Sequence, residues 1–146
     1  MRRYGESRIL SQRYTDRPGA YAIIADGRDL LLTAEHGVNF EIQLPGGGID
    51  SGESPVRALH REVYEETGYR ITAPRRVGAY QRYCYIPDYD MWARKICHIY
   101  LCAPARRVGP PTEPHHDVVW APARDAVQML TNVGDAAVLQ QVLGRR

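Results

Sequence analysis

Residues 1–18 are polar and without clear periodicity, and the first ordered pattern follows them. Two apolar runs, "YAIIA" and "LLLT", flank "DGRD" between Tyr21 and Thr33. Asp26-Gly27 between such runs predicts a β-hairpin. Phe40, Ile42 and Leu44 alternate with polar neighbours and predict a short strand. Pro45-Gly46-Gly47-Gly48 is expected to end it. The apolar spacing then becomes helical. Val56, Leu59 and Val63 form one stripe, Ser54 is placed to cap the N-terminus, Pro55 suits the first helical position, and Gly68 can close the helix in a left-handed conformation. Beyond it, "RVGAYQRYCYI" and "RKICHIYLCAP" read as two long strands joined by "PDYDMWA". "VGPPTEPHH" reads as a proline-rich loop, "DVVWAP" as a further strand, and "PARDAVQML" and "DAAVLQQVL" as closing helices. Strands on both sides of an amphipathic helix, with more helix at the end, predict an α/β (α+β) fold with a mixed sheet covered by helices. Neither an internal repeat nor a long linker divides the sequence, so residues 1–146 are expected to form one domain with an irregular start.

Composition narrows the function. The chain of 146 residues is 44% hydrophobic and 25% charged, with a net charge of +2. These are ordinary globular values, and the weak charge argues against a protein built to coat nucleic acid. Lys95 is the only lysine, so the positive charge is nearly all arginine. Three cysteines, Cys84, Cys97 and Cys102, form no CxxC pair. That pattern suits a reducing cytoplasm better than a disulfide framework. A zinc site from Cys97, His98 and Cys102 is disfavoured because Cys97 and Cys102 would point to opposite faces of a strand. "MRRYGESRIL" lacks the apolar run of a signal peptide, and no membrane span is expected.

The helix carries the chemistry. In "REVYEETGY", Glu62, Glu65 and Glu66 share a face, since a helix turns about 100° per residue. Carboxylates at that spacing repel, and their place near the C-terminal end opposes the helix dipole. Arg61 offsets them only in part, by reaching Glu65 at i+4. A divalent cation would reverse the sign, because hard cations take clustered carboxylate oxygens. The glycine run before the helix allows close approach of a ligand or metal.

Five residues separate Gly47 from Glu53, and seven separate Glu53 from Arg61-Glu62-Val63-Tyr64-Glu65-Glu66-Thr67-Gly68-Tyr69. This stretch, Gly47 to Tyr69, resembles the signature box of the Nudix hydrolase family at Gly47, Glu53, Arg61, Glu62, Glu65, Glu66 and Gly68. Two positions depart from the usual pattern: Tyr69 stands where an aliphatic residue is common, and Asp50 where many members have glutamate. The resemblance implies an α/β/α sandwich and hydrolysis of a diphosphate bond in a nucleoside diphosphate linked to another moiety. It implies that Glu62, Glu65 and Glu66 hold Mg²⁺ or Mn²⁺ with the carbonyl of Gly46, and that Glu53 pairs with Arg61 and lies near the metal. Water activated there would attack phosphorus. Glu62 is one candidate general base, and in some members a glutamate outside the box acts instead. Glu113 in "PPTEPHH" is the candidate here, with His115 and His116 as rivals.

Substrate choice lies outside the box. Tyr80, Tyr83, Tyr85, Tyr89 and Trp92 offer surface to stack a base, or could pack on the sheet and at a homodimer surface. Tyr85 falls where dinucleoside-polyphosphate hydrolases of the family often carry tyrosine, and Pro87 lies just past where ADP-ribose hydrolases often carry proline. Arg82 and Arg94 could bind a phosphate or an acidic group. The expected partner is a small nucleotide derivative, with a capped RNA end as the one nucleic-acid alternative. A nucleotide-sensing module on the same fold is the main rival reading, although such proteins usually lose box glutamates and this chain has kept them. An isoprenoid-diphosphate isomerase would be expected to need a catalytic cysteine outside the box and a longer chain. A P-loop NTPase is excluded because Gly-Lys-Ser/Thr does not follow the glycines.

Overall fold

The computed structural model describes residues 1–145. The expected hairpin forms as β1 (Thr15–Asp26) and β2 (Asp29–His36), with Asp26 opposite Asp29 across Gly27-Arg28. β1 starts inside the segment expected to be irregular, because Thr15 to Ile24 pair in parallel with Ala93 to Cys102 of a later strand. β3 (Phe40–Gln43) lies on β2. The glycine run does not end regular structure, as the sequence had suggested. Gly46–Gly48 form β4, a side-chain-free strip antiparallel to Gly19–Tyr21 of β1.

Helix α1 (Pro55–Thr67) has the punctuation expected. The Ser54 hydroxyl accepts from the Arg57 N–H at 3.2 Å, and Gly68 closes the helix at φ 75° with its N–H on the Tyr64 carbonyl. Its buried stripe is Ala58, Leu59 and Val63, continued by Glu66 and Thr67; Val56, in the first turn, is 39% exposed and falls outside it. Strand β5 (Tyr69–Ile86) begins directly after the helix, well before the expected Arg76. Three register shifts between Arg70 and Gly78 absorb Pro74 and the irregular pattern there, so the strand stays paired with β6 (Met91–Arg107). A short 3₁₀ turn, Pro87–Tyr89, joins the two. β7 (His116–Pro122), α2 (Ala123–Met129) and α3 (Val133–Gly144) complete the described chain.

The sheet runs β3-β2-β1-β6-β5, with β4 on β1 and β7 on β2; β1 and β6 are parallel and the other pairs antiparallel. It is the mixed sheet that the sequence predicts. Side-chain alternation gives it two apolar faces. Ala20, Ala22, Ile24 and Leu31 pack on Leu59 and Val63 of α1. Ile23, Leu30, Leu32, Tyr80 and Ile99 pack on Ala126 of α2 and Val138, Leu139 and Val142 of α3. Burying a leucine or valine in this way contributes about 1.5–3 kcal/mol. Cys97 falls in the α3-side cluster and Cys102 in the α1-side cluster, so they do face opposite ways. No helix among the described residues is long and apolar enough to cross a membrane.

Candidate active site

Arg61 organises the start of the site. Its Nε and one terminal nitrogen each donate to Glu53 at 2.8 Å, the two-pronged geometry that makes arginine–carboxylate pairs strong. The same guanidinium donates to Glu62 Oε1 at 2.9 Å and to the Gly48 carbonyl at 3.1 Å, and lies 3.6 Å from Glu65 Oε2 and 3.4 Å from Asp50 Oδ2. The hydrogen bonds from Arg61 hold the Glu53 carboxyl down at about 2. They raise Arg61 in turn. Glu53 is thus occupied as a partner of arginine and offers its oxygens there, not to the other acids. Gly47 lies directly against this group. A Cβ on Gly47 would sit 2.5 Å from the Glu62 carboxylate and would displace it.

The end of α1 brings in Glu113. The Glu65 carbonyl, one of those a helix C-terminus leaves unpaired, accepts from the N–H groups of Thr112 and Glu113, both at 2.9 Å. Val108 donates to the Gly68 carbonyl, and a Cβ on Gly68 would strike the Gly109 carbonyl at 1.9 Å. The loop is therefore seated on the helix end. Oxygens of Glu62, Glu65 and Glu113 come within 4.8 Å of one another, and Glu113 Oε2 is buried without a hydrogen-bond partner. Burial pushes the Glu62 carboxyl up against the opposing pull of Arg61, with Glu65 and Glu113 adding to the rise.

Glu66 is 7% exposed. Its Oε1 accepts the Gly46 N–H at 3.1 Å, and its Oε2 is 3.6 Å from His116 Nε2, which lies 3.9 Å from Glu35. Burial pushes the Glu66 carboxyl well above the usual range; the Gly46 hydrogen bond lowers it, while Glu62, Glu113 and Glu35 raise it further. Gly46 thus meets Glu66 through its N–H. Of the two histidines, His116 faces the site, while His115 is exposed. Converging hard oxygens, one of them covered without a hydrogen-bond partner, fit a divalent cation.

On the far side of β4 lies a cavity of about 300 Å³. Gly46, Gly47 and Gly48 line it together with Tyr21, Tyr80, Arg82, Lys95, Cys97 and Asp135 at its inner end. Glu35, Glu41, Gln43, Thr131 and Asn132 complete the lining. Tyr80 donates its hydroxyl proton to Asp135 at 2.6 Å. Burial raises both groups. Of the two arginines expected to bind substrate, Arg82 lines this cavity. Arg94 lies outside it, bonded to Gln81 at 2.7 Å and to Asp16. Tyr85, 41% exposed and bonded to Asp90, is also outside. Tyr85 packs on Trp92, and Tyr14 on Trp92 and Tyr83, so these rings cover the β5–β6 hairpin. Only Tyr80 of the expected aromatic set reaches the cavity. Lys95, Asp135, Gln43 and Glu35 were missed, since each comes from a separate element and only the sheet order brings them together.

A family model described as the NUDIX domain matches residues 15–142. A CMP-5'-(N-acetyl-N-hydroxy-3-aminopropyl)phosphonate hydrolase from Streptomyces rubellomurinus is 31% identical over 147 residues, which are 92% of this chain and 68% of that protein. An RNA pyrophosphohydrolase from Aliivibrio fischeri is 38% identical over 52 residues, 36% of this chain and 31% of that protein, so the match spans under a third of that relative. The structure of a NUDIX hydrolase from Nitrosomonas europaea superposes with a TM-score of 0.73 at 18% identity, covering 89% of this chain and 90% of that one. With its box helix set in the same fold and most of its length matched, the chain belongs to the Nudix hydrolase family.

Proposed function

We propose that this protein hydrolyses the phosphoanhydride bond of a nucleoside diphosphate joined to a second group, with Mg²⁺ or Mn²⁺ as cofactor. The observation that carries this reading is the convergence of Glu62, Glu65 and Glu113, including the unpartnered Glu113 Oε2. The name of the Streptomyces relative, a hydrolase of a CMP-linked phosphonate, supports a nucleotide joined to a second group through phosphorus.

Glu62 and Glu65 would hold the ion, with Glu66 beside them. When bound, the cation offsets phosphate charge and makes water a better nucleophile near neutral pH. The protein's own residues do the rest. Arg61 fixes Glu62 through the 2.9 Å hydrogen bond and is itself fixed by Glu53. Glu113 Oε2, free of any donor, accepts the proton that the attacking water releases. β4 presents only backbone, so a diphosphate can lie across it with the remainder of the substrate in the adjoining cavity. Fixed charges at the developing phosphoryl transition state supply most of the acceleration.

The test is metal-dependent phosphate release from a panel of nucleotide diphosphate compounds, with Glu66→Gln and Glu113→Gln in parallel. Both variants should lose turnover. Normal turnover in Glu113→Gln with none in Glu66→Gln would remove Glu113 as the base. Nucleotide binding that tightens with metal but never turns over would make the protein a sensor.

A further inference from the structure

The inner end of the cavity holds a charge arrangement that the hydrolysis itself does not use. Arg82 on β5 and Lys95 on β6 are directly opposite each other in the sheet register, on the face that carries Tyr80 and Cys97. Like charges in facing positions destabilise a sheet. Both side chains are only partly exposed, which raises the cost. Among the described residues, no carboxylate oxygen lies within 4.0 Å of a side-chain nitrogen of either residue; arginine ion pairs at that cut-off occur at Arg61, Arg94 and Arg124 instead. Arg82 Nε is buried with no hydrogen-bond partner.

The cavity acids share the lining but pair directly with neither cation. Asp135 is engaged by the Tyr80 hydroxyl at 2.6 Å. Glu41 is bonded to the Gln43 amide at 2.6 Å, and Glu35 lies at the mouth, toward His116. Two cations and an orphaned N–H thus face an open volume of about 300 Å³, large enough for a small substituent. An uncharged sugar or base would leave Arg82 and Lys95 without a direct counter-ion. An anion with two or more oxygens would satisfy both, since a guanidinium fork and an ammonium suit carboxylate and phosphate alike.

We propose that the group joined to the diphosphate carries an acidic substituent of its own, a carboxylate or a phosphate-type oxyanion, and that Arg82 and Lys95 bind it at the inner end of this cavity. The assignment rests on the hydrolase reading for its link to catalysis, but the anion site itself does not need turnover. The distinction sets the experiment.

The first arm uses no metal and no nucleotide. Inorganic phosphate and acetate are titrated in EDTA into ¹⁵N-labelled full-length protein, following the Arg82 Nε–H resonance. Saturable shifts are expected, with phosphate or acetate the tighter according to the oxyanion preferred, and Lys95→Gln should weaken the affinity about tenfold. Arg124, whose side chain is 91% exposed, is the control. An Arg82 signal that does not move, or drifts linearly like that of Arg124, overturns the proposal. The second arm compares kcat/KM, with Mg²⁺, for UDP-glucuronate against UDP-glucose and for ADP-ribose 1″-phosphate against ADP-ribose. The acidic member of at least one pair should be favoured about thirtyfold, and Arg82→Gln or Lys95→Gln should abolish that preference through KM. Equal use of both members, or a preference surviving both substitutions, also overturns it. Lys95→Gln decides if Arg82→Gln folds poorly. Absence of all turnover would count against the hydrolase reading, leaving the first arm to judge the anion site.

Discussion

The two sides of β4 leave charges of opposite sign without a direct partner. Toward α1, Glu53, Glu62 and Glu65 gather around one arginine, Arg61, which is fully engaged, with Glu113 converging on Glu62 and Glu65 and Glu66 beside His116. Toward α3, Arg82 and Lys95 stand beside an aspartate already bound to Tyr80. A strand of three glycines separates the two, close enough that a methyl on its middle residue would collide with Glu62. Uncompensated charge of either sign is costly in a protein interior, and it persists most readily where a ligand brings the counter-charge. A phosphate ester with a metal ion answers both sides at once. On the proposed reading, cofactor and substrate would be recognised by separate walls sharing a backbone strip.

The strongest way to break this comparison is to remove a carboxylate from the acidic wall. Glu62→Gln or Glu65→Gln should lower kcat by about 10²–10³-fold in a phosphate-release assay, with the far-ultraviolet circular dichroism unchanged. Normal rates would show that the acids are only a wet helix face. The shared strip can be probed next. Gly47→Ala places a methyl 2.5 Å from the Glu62 carboxyl and should cost about 10–100-fold in activity, whereas Gly48→Ala, with nothing within 4 Å, should leave it near the parent value. Equal effects would mean that the strip does not shape the metal wall. On the cavity side, a Cβ at Gly134 would lie 2.3 Å from the Tyr80 ring. Gly134→Ala should destabilise the fold by about 1–3 kcal/mol in urea denaturation, because the Tyr80–Asp135 pair must shift.

The smallest expected effect concerns pH. Glu53 titrates at about 2 because Arg61 donates to it. A folded value below the unfolded one means that the pair stabilises the protein above the ordinary glutamate range. That contribution fades as pH falls from there through about 2. Carbon-13 NMR of the metal-free protein should place the Glu53 midpoint at about 2, and Arg61→Gln should return it toward the ordinary value. An unmoved midpoint would assign the shift to another cause.

The acidic wall was legible in the sequence because most of it is local. Glu53 to Glu66 lie in one capped helix and its lead-in, where spacing alone puts the side chains on one face. Glu113 was legible only as a candidate, since its place depends on loop N–H groups reaching the Glu65 carbonyl. The cavity was hardly legible. Tyr21, Gln43, Arg82, Lys95 and Asp135 come from five elements, and no local pattern indicates that β1 lies parallel to β6 with α3 above them. Arg82 and Arg94 looked equivalent as strand arginines, yet strand alternation turns Arg82 inward and Arg94 toward Asp16. The glycine run misled for a similar reason: its pairing with Gly19–Tyr21 is a long-range contact that turn chemistry cannot reveal.

The central claim is that the converging glutamates hold a divalent cation, and calorimetric titration of Mg²⁺ and Mn²⁺ into the metal-stripped protein tests it most directly. The account predicts saturable binding that weakens about 10–100-fold in Glu62→Gln and in Glu65→Gln. Binding of equal strength in the parent protein and both variants, or none in any of them, would contradict it.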